Sequence, residues 1–94
     1  MADYVILSSW TNQGVHDFKD TLERADLAAE IFQDAGGEVK DIIWTLGPFD
    51  AVVLASFPDD ESAAKATLKL GGEGRVRTTT MRGFRRDEMA SILG

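Results

Sequence analysis

The apolar residues fall into seven short runs whose spacing switches between strand and helix periods. Tyr4 to Trp10 is dense in β-branched and aromatic residues and predicts a strand, followed by the turn-forming Thr11-Asn12-Gln13-Gly14. Val15 to Lys19 has the makings of one helical turn. A longer helix is expected from Asp20-Thr21, where Asp20 and Glu23 have capping-box spacing. Leu22, Ala25, Ala29 and Phe32 form its apolar stripe, and Leu27 and Ile31 lie nearly opposite, as a second contact surface would. Gly36-Gly37 supplies the stop. Glu38 to Leu46 and Ala51 to Phe57 predict a hairpin around Gly47-Pro48-Phe49-Asp50, with Pro48 fixing φ at the second turn position. Asp59, Asp60 and Glu61 then suit the positive end of a second helix, Ala63 to Leu70, which Gly71-Gly72 should end. Arg75 to Phe84 reads as a fourth strand, and Met89, Ile92 and Leu93 as the apolar side of a short terminal helix.

The order β-α-β-β-α-β with a terminal helix is the split βαβ pattern of a ferredoxin-like α+β domain. The expected sheet is antiparallel in order 4-1-3-2, and residues 1–94 form one domain. A sheet covered on one face should alternate apolar and polar positions. The two strands expected at its centre do not. Ala51, Val53, Ala55 and Phe57 share one parity, while Val52 and Leu54 occupy the other. Tyr4, Ile6 and Trp10 stand likewise against Val5 and Leu7. Two helices cover one face, so the other calls for a second copy of the sheet, which makes the expected assembly a dimeric α+β barrel; the alternatives are a terminal helix that shields this face or a monomer with an apolar patch.

Composition narrows the chemistry. The 94 residues hold no cysteine and one histidine, which excludes disulfides, thiol nucleophiles and multi-histidine metal sites. No metal or cofactor is expected. A chain this short buries roughly 60–65% of its unfolded surface, so an oligomer contact would add to a thin margin of stability. The net charge of −6 opposes binding to a phosphate backbone, so nucleic acid is not an expected partner. Charge is nevertheless uneven: the last twenty residues carry five arginines against Asp87 and Glu88. That end would attract a small anion or an acidic protein surface, or protect an edge strand from pairing. With no basic, apolar leader and no run near the ~20 apolar residues of a membrane span, a cytoplasmic protein is expected, with no membrane contact.

Several residues are candidates for function. His16, in the connection after the first strand, is the one side chain with an ordinary pKa near neutrality, and is either an acid/base or a surface bystander. Trp10 and Trp44 would line an aromatic ligand pocket or pack in a core or interface. Arg77 and Thr79, sharing a strand face with Arg75, would bind a carboxylate or phosphate, or belong to a threonine-rich edge. Asp50 is expected to bond local backbone N–H groups. Gly36-Gly37 and Gly71-Gly72 follow helices instead of opening them, so neither is a phosphate loop.

The run Trp44-Thr45-Leu46-Gly47-Pro48-Phe49-Asp50 resembles the signature of the GYD-domain family of small bacterial and archaeal proteins. Trp10-Thr11-Asn12-Gln13-Gly14, the Gly36-Gly37 pair and Val76-Arg77-Thr78-Thr79-Thr80 fit as well, so the resemblance spans the chain. Phe49 stands where the family usually has tyrosine, which keeps a packing role and removes any role of the hydroxyl. The resemblance implies a dimeric α+β barrel and assigns no catalytic residue. Three functions follow: a homo-oligomeric binder of a small anionic or aromatic ligand; a cofactor-free oxygenase or isomerase using His16 with Trp10 and Trp44 around its substrate; or an oligomerisation and regulatory module that engages a protein through its arginine-rich strand.

Overall fold

The computed structural model describes residues 1–94 as four strands and four helices. In chain order these are β1 (Ala2–Trp10), α1 (Asn12–His16), a 3-10 turn (Phe18–Asp20), α2 (Thr21–Asp34), β2 (Glu38–Trp44), β3 (Ala51–Phe57), α3 (Asp60–Gly72), β4 (Val76–Gly83) and α4 (Arg86–Leu93). The strands form one antiparallel sheet in the order β2-β3-β1-β4, the expected arrangement. No helix is long and apolar enough to cross a membrane.

Register sorts the side chains by face. Tyr4, Ile6 and Ser8 of β1 stand opposite Ala55, Val53 and Ala51 of β3, all toward α2 and α3. The core lies there: Tyr4, Ile6, Ala55 and Phe57 pack against Phe32 of α2 and Ala63 and Ala66 of α3. Phe57 stacks edge-on to Tyr4 at 5.6 Å and tilted to Phe32 at 5.2 Å. A bulge between Val39 and Asp41 resets β2 so that Val39, Ile42 and Trp44 all face the helices. Val5, Leu7, Val52 and Leu54 make the centre of the opposite face, flanked by the exposed Ile43 and Met81, and neither α2 nor α3 reaches them.

Three local expectations are corrected. Asp20 does not cap α2: the preceding 3-10 turn holds its backbone at φ −89°, ψ 4°, and its carboxylate accepts no bond from the helix. The buried side of α2 is also rotated from the expected stripe. Phe32 is buried, but Leu22 is 66% exposed, while Ile31, expected on the far side, packs against the core with Ala35. The second expected helix, α3, by contrast, ends at Gly71-Gly72 as expected, and Gly74, at φ +83°, makes the reversal after it. Finally, Arg77 and Thr79 face the open side of the sheet, whereas Arg75 precedes β4 and turns beneath the helices toward Asp17.

The acidic start of α3 does what its position implies and something more. Asp59 caps the helix by accepting from the Ser62 N–H at 2.7 Å. Asp60 accepts from the Tyr4 hydroxyl at 2.5 Å and so fixes α3 to β1. Burial of the ring, then the Asp60 bond, push the Tyr4 pKa up to about 12. Because Tyr4 is the only tyrosine, its titration is read without overlap. The native protein is expected to develop phenolate absorbance only above about pH 11, whereas the urea-unfolded chain should do so near the ordinary value of about 10. Coincident curves would show that the Tyr4–Asp60 tie is absent in solution. The raised value means this tie is intact below about pH 10 and is lost as pH climbs toward about 12.

Candidate functional site

Small residues meet where large ones would be needed to fill the space. At the Trp10 end of the sheet, Ser8 and Ala51 form the floor between Trp44 on one side and Thr78 on the other. Above them α2 presents Ala25 and Ala28. Short side chains on both layers leave a cavity of about 260 Å³ between sheet and helix. Trp10 and Trp44 line it, together with Ile6, Ile42 and Val53.

Two polar ties hold its rim. The Trp44 indole N–H donates to Thr21 Oγ1 at 3.0 Å, fastening the first turn of α2 to the edge strand. Arg75 Nη1 meets Asp17 Oδ2 at 2.6 Å, linking the segment before β4 to that before α2. Gln13 Nε2 donates to the same carboxylate oxygen at 2.6 Å, and His16 Nδ1 lies 3.0 Å from the other. These hydrogen bonds, His16 first, then Gln13 and Arg75, hold the Asp17 carboxyl well below the usual carboxylate range.

The turn after β1 is shaped to make this junction. Thr11 caps α1 by accepting from the Gly14 N–H at 3.1 Å, and its hydroxyl donates to the Gly74 carbonyl at 2.6 Å. Its own N–H bonds the Arg75 carbonyl at 3.1 Å. Gly14 lies so close to that carbonyl that a Cβ would collide with the oxygen. The hairpin is tied down at the same end. Thr45 Oγ1 donates to the Phe49 carbonyl at 2.6 Å, and Asp50 accepts from the Trp10 N–H at 2.8 Å. Asp50 therefore bonds a backbone N–H, as expected, but one in β1 forty residues away.

The structure thus brings Trp10 and Trp44 to one cavity and places the other candidates elsewhere. His16 is 83% exposed, beside the cavity rim, and touches it only through Asp17. Arg77 and Thr79 lie across the sheet from the cavity. No group of His, Cys, Asp or Glu is placed to hold a metal ion. Sequence reasoning missed Asp17, Thr21 and Arg24 on the cavity lining, and placed Arg75 on the wrong face of the sheet. The Thr11-x-x-Gly14 cap was the available sign of a built turn there, whereas the Asp17–Arg75 pairing spans 58 positions and has no local pattern.

The profile of the GYD domain matches residues 4–93, which include both tryptophan-containing turns just described. The chain belongs to the GYD-domain family. A relative in Thermus thermophilus, named glutamine synthetase and cystathionine beta-lyase binding protein, is 30% identical over 82 residues, 86% of each chain. Among solved structures, the chain is similar to FFRP-DM1, with a TM-score of 0.63, 14% identity, and coverage of 89% of this chain and 100% of that one. It is also similar to a homoserine dehydrogenase from Thiobacillus denitrificans, with a TM-score of 0.60 and 13% identity over 86% of this chain, which spans only 17% of the dehydrogenase. At those identities the likeness is one of fold. In GYD-domain terms, the hairpin signature here supplies Trp44 to the cavity and Asp50 to the β1 backbone, and Phe49 in the same turn is half-buried.

The sign of the Asp17 shift gives a test of the rim. A carboxyl held below its unfolded value of about 3.9 contributes stability above that pH and loses it as pH falls through the folded value. Asp17→Asn is expected to lower the urea midpoint at about pH 7 and about pH 5, with the gap closing on acidification below about pH 4. A gap of constant size down to about pH 2 would mean that the charge of Asp17 is not what holds the junction.

Proposed function

We propose that this GYD-domain protein is a homo-oligomeric, non-enzymatic binder of a small aromatic or apolar ligand, with a ferredoxin-like fold paired as a dimeric α+β barrel in the cytoplasm. The observation that carries the binding role is the tryptophan-lined cavity under α2, a concave apolar space with a few polar groups at its rim. The enzyme reading is weaker, because His16 points to solvent and no histidine lines the cavity.

Neutral 3-phenylpropan-1-ol, titrated against isotope-labelled protein, is the first probe. With only two tryptophans, the indole N–H resonances report on the cavity walls directly. Both are expected to shift in a saturable way, and Ala28→Phe, which fills the space, is expected to abolish the shifts without loss of fold. Unmoved indole signals at millimolar probe would overturn the binding role.

Pairing is supported by the open sheet face. Val5, Leu7, Val52 and Leu54 form a contiguous apolar centre of the kind soluble monomers rarely leave bare. Its two edges differ in charge, with Arg77 on β4 and Glu38 and Asp41 on β2, so a two-fold copy can set unlike charges together. Sedimentation at micromolar concentration is expected to give a dimer, and Leu54→Lys a folded monomer. A wild-type monomer would refute the pairing.

A second reading has one observation in its favour. The relative named for binding two metabolic enzymes is similar along most of both chains, which supports a protein partner for this chain too. A regulatory module, whose hold on a partner responds to the occupant of the cavity, accommodates both readings.

A further inference from the structure

We infer that the ligand of the cavity is an aromatic or aliphatic carboxylate, anchored by Arg24. This rests on the binding role proposed above and adds the chemical class. Of the two guanidinium groups lining the cavity, that of Arg75 is already neutralised by Asp17. Arg24 is half-buried on the first turns of α2 and has no carboxylate within ion-pair distance and no hydrogen-bond partner. A half-buried guanidinium group beside apolar walls gains from a carboxylate that arrives with two parallel acceptors. Its position matches the shape of such a ligand. Thr21, one turn before Arg24, is the residue bonded to the Trp44 indole, so cation and aromatic wall share one end of the cavity.

Four carboxylates, those of Asp17, Glu30, Asp34 and Glu73, share the lining with the two arginines, and none of them is in ion-pair contact with Arg24. At about 1.5 Å rise per residue, Glu30 and Asp34, the acids of α2 that line the cavity, lie ~9 and ~15 Å further along the helix axis. The near carboxylate, Asp17, is committed to Arg75, Gln13 and His16. Arg24 also sits on the first turns of α2, whose positive end favours an anion even though Asp20 and Glu23 already place carboxylates there. A carboxylate at Arg24 with its apolar body running over Ser8 and Ala51 between the tryptophans would satisfy the one uncommitted cation of the cavity and fill its dry part.

The test compares three probes of one shape: 3-phenylpropanoate, 3-phenylpropan-1-ol and 3-phenylpropylamine, each titrated while the two indole resonances are followed. The carboxylate is expected to bind about tenfold more tightly than the alcohol, the factor set by one charge-assisted hydrogen bond, and the amine more weakly still. Arg24→Gln is expected to remove the preference for carboxylate while leaving the alcohol's affinity within about twofold, and Arg24→Lys to keep part of it. Equal affinity for the three probes, or a preference untouched by Arg24→Gln, overturns the inference and leaves the binding role standing. Failure of every probe to move the indole signals instead removes the binding role itself.

Discussion

The limited reach of two helices over a four-stranded sheet sets the rest of this structure. A helix is about 10 Å across and the strands lie just under about 5 Å apart, so α2 and α3 fill one face and no more. The chain places aromatic and branched residues where these helices land, with Phe32 between the layers and Tyr4, Ile6 and Phe57 below. It then departs from this rule twice. At the Trp10 end it puts alanine and serine under α2, which opens a cavity. On the far face it puts Val5, Leu7, Val52 and Leu54, which neither α2 nor α3 covers.

The two departures are independent in chemistry. The open face is broad, apolar and edged by charge, which is how a surface recognises another surface. The cavity is narrow, walled by indoles and rimmed by polar ties, which is how a fold holds something small. They share the central strands, because alternate residues of β1 and β3 serve one and the other: Ile6 and Val53 line the cavity, while Leu7 and Val52 lie on the open face. A displacement of either strand would therefore be felt at both places.

The order of elements was legible because each signal was local. β-branched runs marked strands, and Gly36 at φ +88° marked the end of α2. The order of elements placed β1 and β3 at the centre of the sheet, and strand parity marked their two-faced character. The rotation of α2 was not legible, since alanines on either side of Phe32 give the same helical period, and the choice was made by contacts with β2, Leu70 and the indole of Trp44. Asp20 failed as a cap because a 3-10 turn, with no distinctive sequence, set its backbone. At the site, the tryptophans were legible as large residues in distinctive turns. Arg24 was not, because a charged residue on an amphipathic helix ordinarily points to water.

The position of Gly14 against the Arg75 carbonyl has a consequence for how the chain comes together. Residues near the start of the chain form a socket shaped by the backbone of residues near its end, and β1 pairs with β4 across almost the whole sequence. A nascent chain can build the β2–β3 hairpin and α2 early, yet one side of β1 stays bare until the final strand has been synthesised. Contacts of such long span slow folding and leave a strand edge unprotected meanwhile. Because Arg75, Val76 and Thr78 also belong to the cavity wall, the cavity cannot be completed until β4 has been made, and a chain truncated before β4 has no cavity to close.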